Sequence, residues 1–151
     1  MPEYIETTVD KFIFRIAIDR FYSIDGIWAQ ETRQGNRVRV GLSDYSQQRM
    51  GDVAYVHLKS PGARLALGNA FAEIESIKAN SDLFSPVNGV ISDINKSLDS
   101  SPEIINQDPY GKGWLTEIET DDWQADQAQL LQPREYLSAM REQAEKELND
   151  S

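Results

Sequence analysis

"EIESIKANSD", residues 73–82, reads as two strand ends meeting at a turn, with one lysine, Lys78, near the middle and carboxylates at Glu73, Glu75 and Asp82 around it. If the two ends pair as antiparallel strands through a tight turn at Lys78-Ala79, Ile77 faces Asn80 and Glu75 lies opposite Asp82. Like charges facing each other across a hairpin are mildly destabilising, so such a pair belongs at an exposed tip. A lysine there is most often a solvated residue or a guard on an open sheet edge. The functional reading is that an amine held out on a rigid hairpin is placed for acylation by another enzyme.

Outward from this hairpin the same pattern repeats. "KFIFRIAID", residues 11–19, puts Phe12, Phe14, Ile16 and Ile18 on one side at period two, as a strand with a buried face does. "GIWAQ", "NRVRVGL", "DVAYVHL", "AFAEIES", "GVISDI" and "GWLTEIE" are further short apolar or alternating runs, separated by turn residues such as Gly35-Asn36, Pro61-Gly62 and Gly68-Asn69. Many short strands at close spacing predict a mainly β fold, a small barrel or sandwich. Two helices interrupt it. "SDYSQQRMG" has Ser43 or Asp44 as N-cap and Gly51 as stop, about two turns. The second runs from Pro133 to about Leu148, with Leu137, Met140, Ala144 and Leu148 at helical spacing, and reads as a terminal helix packed on the β unit. Residues 95–115 read as a long ordered loop, fixed to the barrel by Tyr110 and Trp114.

Bulk properties narrow the function. The chain has 151 residues, about one domain, and no cysteine, which removes disulfides, thiolate metal sites and a Cys nucleophile. Its net charge of −10 argues against a nucleic-acid partner, because phosphate binding needs clustered Lys and Arg. From Glu117 onward ten acidic side chains stand against three basic ones, a net of −7 that leaves −3 for the rest. That concentration suggests an acidic tail that helps partners select the protein. No run is long and apolar enough for a membrane span and the start lacks a secretory pattern, so a cytoplasmic location away from membranes is expected. The single histidine, His57, has no evident nucleophile or carboxylate to orient it, and no Ser-His-Asp set, phosphate loop or metal-spaced cluster is present. The case for an enzyme is thin.

Three separated stretches carry a resemblance: "GLSDYSQQRMGDVAYVHL" (41–58), "GNAFAEIESIKANSDLFSPVNG" (68–89) and "SSPEIINQDPYGKGWL" (100–115). They resemble the H-protein family, the lipoyl carriers of the glycine cleavage system. The resemblance implies a lipoyl-type barrel sandwich of two small sheets with a short internal helix and a C-terminal helix. It also implies three parts: an N-terminal extension with a strand (1–20), an H-protein-like lipoyl domain (21–120) and an acidic helical segment packed on it (121–151). The family's lipoylated lysine corresponds to Lys78, so lipoic acid in amide linkage is the implied cofactor. Glu75, Ser76, Ala79 and Asp82 become the context read by a lipoate-attaching enzyme. A biotin carrier would centre its lysine in M-K-M, whereas Ile77 and Ala79 flank this one.

One stretch departs from the pattern. Glycine-cleavage members open with a motif like Y-T-x-E-H-E-W, and here "YSIDGIW", residues 22–28, puts Gly26 at the family's His and Ile27 at the following Glu. In glycine-cleavage members that Glu lines the cleft sheltering the aminomethyl-loaded arm, and isoleucine supplies no counter-charge to an amine. With the longer N-terminus, this resembles the H-protein-like lipoate-binding proteins of heterodisulfide-reductase-like sulfur oxidation. The expectation is therefore a sulfur carrier for a cytoplasmic heterodisulfide-reductase-like complex. The other reading is an H-protein carrying the aminomethyl group between the P, T and L proteins of glycine cleavage. A third, an unlipoylated structural relative, is at odds with the intact "ESIKA".

Overall fold

The computed structural model describes residues 3–150. Eleven strands run β1 Tyr4–Val9, β2 Phe12–Ala17, β3 Phe21–Tyr22, β4 Ile27–Glu31, β5 Arg37–Leu42, β6 Val53–Leu58, β7 Arg64–Leu65, β8 Ala70–Ser76, β9 Asn80–Phe84, β10 Gly89–Ile94 and β11 Thr116–Thr120. The helices are α1 Asp44–Met50, α2 Ile104–Gln107, α3 Trp123–Gln127 and α4 Pro133–Asp150. The strands form a six-stranded sheet in the order β3-β4-β5-β11-β10-β7, a three-stranded sheet β6-β8-β9, and the separate hairpin β1-β2. The expected sandwich of two sheets is present, mainly β with a short internal and a C-terminal helix. To it the N-terminus adds a two-stranded hairpin where a single strand had been expected.

Alternation decides the inter-sheet core. Val38, Val40 and Leu42 of β5, Ile91 of β10 and Ile118 of β11 point inward from the large sheet, and meet Phe71 and Ile74 of β8 and Leu83 of β9 from the small one. All are at most 4% exposed. A second buried layer lies where the chain ends meet. Val9, Phe14 and Ile16 of the hairpin, Tyr45 of α1, Tyr110 of the 95–115 segment, and Tyr136, Met140 and Ala144 of α4 close on Tyr22 and Trp28. Within β2 the period-two face holds only in part. Phe14 and Ile16 are buried, whereas Phe12 and Ile18 are each 43% exposed because the hairpin's last turn and its exit run past the layer they would cover.

Both expected helix signals hold locally. Ser43 Oγ caps α1 by accepting from Ser46 N, and Gly51, at φ +79°, takes the left-handed turn that ends it. In the 95–115 segment, Asn95 caps a 3-10 turn over Lys96–Asp99, followed by α2. Tyr110 fixes the segment as expected: its hydroxyl donates to Arg15 O at 2.7 Å.

Candidate functional site

The β8–β9 hairpin carries Lys78, and its turn is made by Ser76. The Ser76 main-chain N–H donates to Ala79 O at 3.0 Å, and Ser76 Oγ donates to the same oxygen at 3.0 Å. The same Oγ accepts from Lys78 N and Ala79 N, each at 3.3 Å. One serine thus ties three backbone groups and leaves Ile77 and Lys78 at the tip, both exposed. The register is accordingly not the one expected from the sequence. Glu75 lies opposite Asn80, Ile74 opposite Ser81 and Glu73 opposite Asp82. Centring the turn on Ile77-Lys78 rather than Lys78-Ala79 moves the like-charge pair one step further from the tip.

The tip is braced from outside the hairpin. Ile77 N–H donates to Asp52 O at 3.1 Å, joining the turn to the segment between α1 and β6. That segment is held by Asn106 of α2. Its Nδ2 donates to Gly51 O at 2.9 Å and Gln47 Oε1 at 3.1 Å, while its Oδ1 accepts from Val53 N at 3.0 Å. Asn106 and Asp52 are site residues that the sequence reading missed. They lie 28 and 26 residues from Lys78, and although both fall inside stretches that carry the family resemblance, nothing there marks them as braces of the turn.

Lys78 itself does not stand straight out from the tip. A Cβ at Gly51 would lie 3.3 Å from Lys78 Cε and 3.5 Å from Cδ, so the lysine stem lies back across the glycine that ends α1. Among the described residues the Lys78 amine enters no ion pair, despite the carboxylates around it in sequence. Glu75 turns instead to His57, whose Nε2 is 3.4 Å from Glu75 Oε2, with Tyr55 stacked on the imidazole at 5.9 Å. The histidine thus has a carboxylate partner that the sequence did not reveal, yet it stays exposed on the outer face of the small sheet. Glu75, Ser76, Lys78 and Ala79 come together at the turn. Asp82 sits below them on β9, opposite Glu73.

Beside Lys78 runs a groove of about 290 Å3, walled by β1–β2, α1 and the end of α4. Arg49 and Glu147 meet at it with Nε–Oε1 at 2.7 Å, and Tyr45 OH donates to the other Glu147 oxygen at 3.3 Å. Burial and the neighbouring Glu147 carboxylate push the Tyr45 phenol up to about 12. Such a groove fits a slender uncharged acyl chain amide-linked to Lys78: it is mostly apolar, its Arg49 and Glu147 charges are paired with each other, and it begins at the lysine stem.

The stretch that departs from the resemblance is explained by packing. Gly26 has φ +86°, and a Cβ there would collide with Ser46 Oγ and press on Tyr136 OH at 3.1 Å. Ile27 is 1% exposed and belongs to the inter-sheet core. A buried hydroxyl network occupies the neighbouring space: Ser43 Oγ lies 2.7 Å from Tyr136 OH and donates to Ser46 Oγ at 3.1 Å, and Ser46 Oγ donates to Gly26 O at 3.2 Å.

Comparison with known proteins bears on this geometry. Residues 20–143 match the family model described as "Glycine cleavage H-protein". The chain is 44% identical over 107 residues to the glycine cleavage system H protein of Mycobacterium leprae (strain Br4923), a match covering 71% of this chain and 80% of the relative. It is 39% identical over 125 residues to that of Rubrobacter xylanophilus, covering 83% of this chain and 94% of the relative. The crystal structure of a glycine cleavage system H protein from Mycobacterium marinum superposes with a TM-score of 0.73 at 31% identity, covering 82% of this chain and 97% of that one. Among the described residues no helix is long and apolar enough to cross a membrane.

Proposed function

We infer the function from the family: the chain belongs to the glycine cleavage H-protein family, whose members carry a covalently attached lipoate on a lysine and serve partner enzymes without being enzymes themselves. In this chain the attachment point is Lys78, and Glu75, Ser76, Ala79 and Asp82 are what a lipoate-attaching enzyme reads. The observation that carries the assignment is an exposed, ion-pair-free lysine on a turn tied by Ser76 and braced through Asp52. When bound, the dithiolane supplies thiol–disulfide exchange. The chain's own part is mechanical. Lysine plus an eight-carbon acyl chain spans roughly ten bonds, a reach of about 12–14 Å from the backbone. Ser76 fixes where that reach starts, and a chain without cysteine offers no thiol of its own to compete.

The comparisons favour the glycine cleavage system as the setting, with its P, T and L proteins as partners and the aminomethyl group as cargo, in the cytoplasm. One observation favours the second reading, a sulfur-carrying arm serving a heterodisulfide-reductase-like complex. A side chain at 26 has no room, and position 27 is filled by a core isoleucine, so neither the histidine nor the carboxylate of the family's opening motif is available. Intact mass tests the attachment: protein from its host carries one lipoyl adduct, and Lys78→Arg removes it. An adduct that survives Lys78→Arg, or none in the host, refutes the assignment. Methylamine loading by a glycine cleavage P protein then separates the settings. Efficient loading supports glycine cleavage, and failure of the lipoylated protein to load supports the sulfur carrier.

A further inference from the structure

On the outer face of the three-stranded sheet, β6 and β8 bring an imidazole and two carboxylates together. His57 of β6 lies directly opposite Glu73 of β8, and Tyr55 opposite Glu75. Period two puts Glu73 and Glu75 on one side of β8, so both flank the histidine, one straight across from it and one on the diagonal. One ligand atom from each of the three residues lies within 4.8 Å of the others, and His57 Nε2 is 3.4 Å from Glu75 Oε2. The spacing along the chain, at 57, 73 and 75, hides this grouping, which the register of β6 against β8 creates.

We propose that His57, Glu73 and Glu75 form a binding site for a divalent transition-metal ion of the zinc type. Zinc bonds of about 2.0–2.2 Å in a tetrahedral arrangement set ligand atoms roughly 3.3–3.6 Å apart. The His57–Glu75 edge has that length. Glu73 reaches it by turning its own side chain, which no ion pair holds among the described residues. One imidazole nitrogen and two carboxylate oxygens suit zinc and its neighbours in the first transition row, whereas calcium and magnesium favour all-oxygen shells. Tyr55 stacks on the imidazole with ring centroids 5.9 Å apart and planes 6° from parallel, which limits how far the histidine turns. Charge favours a cation as well. Glu73 also faces Asp82 across β8 and β9, and like charges directly opposite each other destabilise a strand pair. Among the described residues no lysine or arginine pairs with Glu73, Glu75 or Asp82. A bound dication offsets that repulsion and ties β6 to β8 below the tip that carries Lys78, whatever that lysine bears. Three protein ligands leave a fourth position for water.

The test uses the untagged full chain, stripped of metal with EDTA and kept free of reductant, so that a dithiolane on Lys78 stays closed and offers no thiolate. His57 is the only histidine, so the imidazole resonances report on it alone. Zinc chloride is expected to shift them, with the change saturating near one equivalent, while magnesium chloride at the same concentration leaves them in place. By isothermal titration, Glu73→Gln and His57→Gln are each expected to weaken zinc binding more than about tenfold, since even an outer-shell partner is worth about 10–100-fold in metal affinity. The wild-type spectra decide the matter even where a variant folds poorly. Imidazole signals that ignore zinc or respond equally to magnesium, or zinc binding that survives both substitutions, overturn the inference.

Discussion

The protein has two buried layers of different construction. Between the sheets, Val38, Val40, Ile74, Ile91 and Ile118 form an aliphatic core drawn from strands whose alternation faces them inward. Where the chain ends meet, the layer is aromatic and hydrogen-bonded. Tyr22 and Tyr136 stack at 4.5 Å, Tyr22 OH donates to Ala17 O at 2.7 Å, Trp28 Nε1 to Pro109 O at 3.1 Å and Arg20 Nη1 to Tyr110 O at 2.9 Å. The first layer needs only shape and apolarity. The second also needs each polar tip matched, because an unmatched buried group costs more than a matched one returns. The inter-sheet core holds the scaffold, while the aromatic layer joins hairpin, α1 and α4 into the walls beside Lys78.

The largest expected effect lies in the aliphatic layer. Phe71 is fully buried between the sheets, on the strand that leads to Lys78. Phe71→Ala is expected to lower stability by about 3–5 kcal/mol, measured by urea unfolding, because a cavity there has rigid sheets on both sides. A loss under about 1 kcal/mol would show that the sheets collapse onto the gap and that the two layers do not differ as described.

Alkali is expected to single out the aromatic layer. Burial raises all four of its phenols, Tyr22 and Tyr110 well above the ordinary tyrosine value of 10, Tyr45 and Tyr136 to about 12. A phenol whose folded value is raised favours the protonated form in the folded state. Its stabilising contribution is therefore complete below pH 10 and is lost as pH rises from 10 through 12. Stability is expected to be level from pH 8 to 9.5 and to fall steeply between 10 and 12, and in a Tyr4→Phe, Tyr55→Phe background, which leaves only the four buried phenols, tyrosinate absorbance is expected to appear as the fold opens. Tyrosinate at pH 10–11 in that variant while it keeps its fold would place these hydroxyls nearer water than the geometry does.

The same division explains what could be read in the sequence. Period-two runs marked β4, β5, β6, β8, β10 and β11, because the aliphatic core is a local pattern repeated along each strand, and also β2, whose buried Phe14 and Ile16 belong to the aromatic layer. β1, "YIETTV", carried little such signal, since only Val9 in it is buried. The lysine and its flanking residues were legible, but not the register: the turn is set by what the Ser76 hydroxyl bonds, and alternation alone fits either pairing. Asn106, the groove and the hydroxyl network bring together residues from distant segments, and pairings at that range leave no periodic trace. The acidic end of the chain reads differently once folded. Glu117 pairs with Arg39, Asp121 with Arg64, Glu145 with Arg141 and Glu147 with Arg49. Asp126 is buried, accepting from Asn88 N and Nδ2. Much of the charge that suggested a partner-selecting tail is thus engaged within the chain.

The smallest expected effect tests whether matched polar tips, rather than ring packing, distinguish the aromatic layer. Tyr136→Phe removes one hydroxyl and leaves the ring stacked on Tyr22. Ser43 Oγ loses its 2.7 Å partner but still donates to Ser46 Oγ and accepts from Ser46 N, each at 3.1 Å, so it is not orphaned. The expected cost is then that of one net hydrogen bond, about 0.5–1.5 kcal/mol. Tyr136→Leu also removes the stacked pair, worth about 0.5–1.5 kcal/mol beyond the area it buries, and is expected to cost clearly more. Tyr136→Phe further takes one raised phenol out of the alkaline transition, so its deficit against the wild type should shrink as pH climbs from 10 to 12. A deficit that stays constant across that window would assign the loss to repacking around Gly26 and Ser46 and not to the hydroxyl. A deficit that closes would assign the loss to the buried Tyr136 hydroxyl itself, which burial holds in its protonated form.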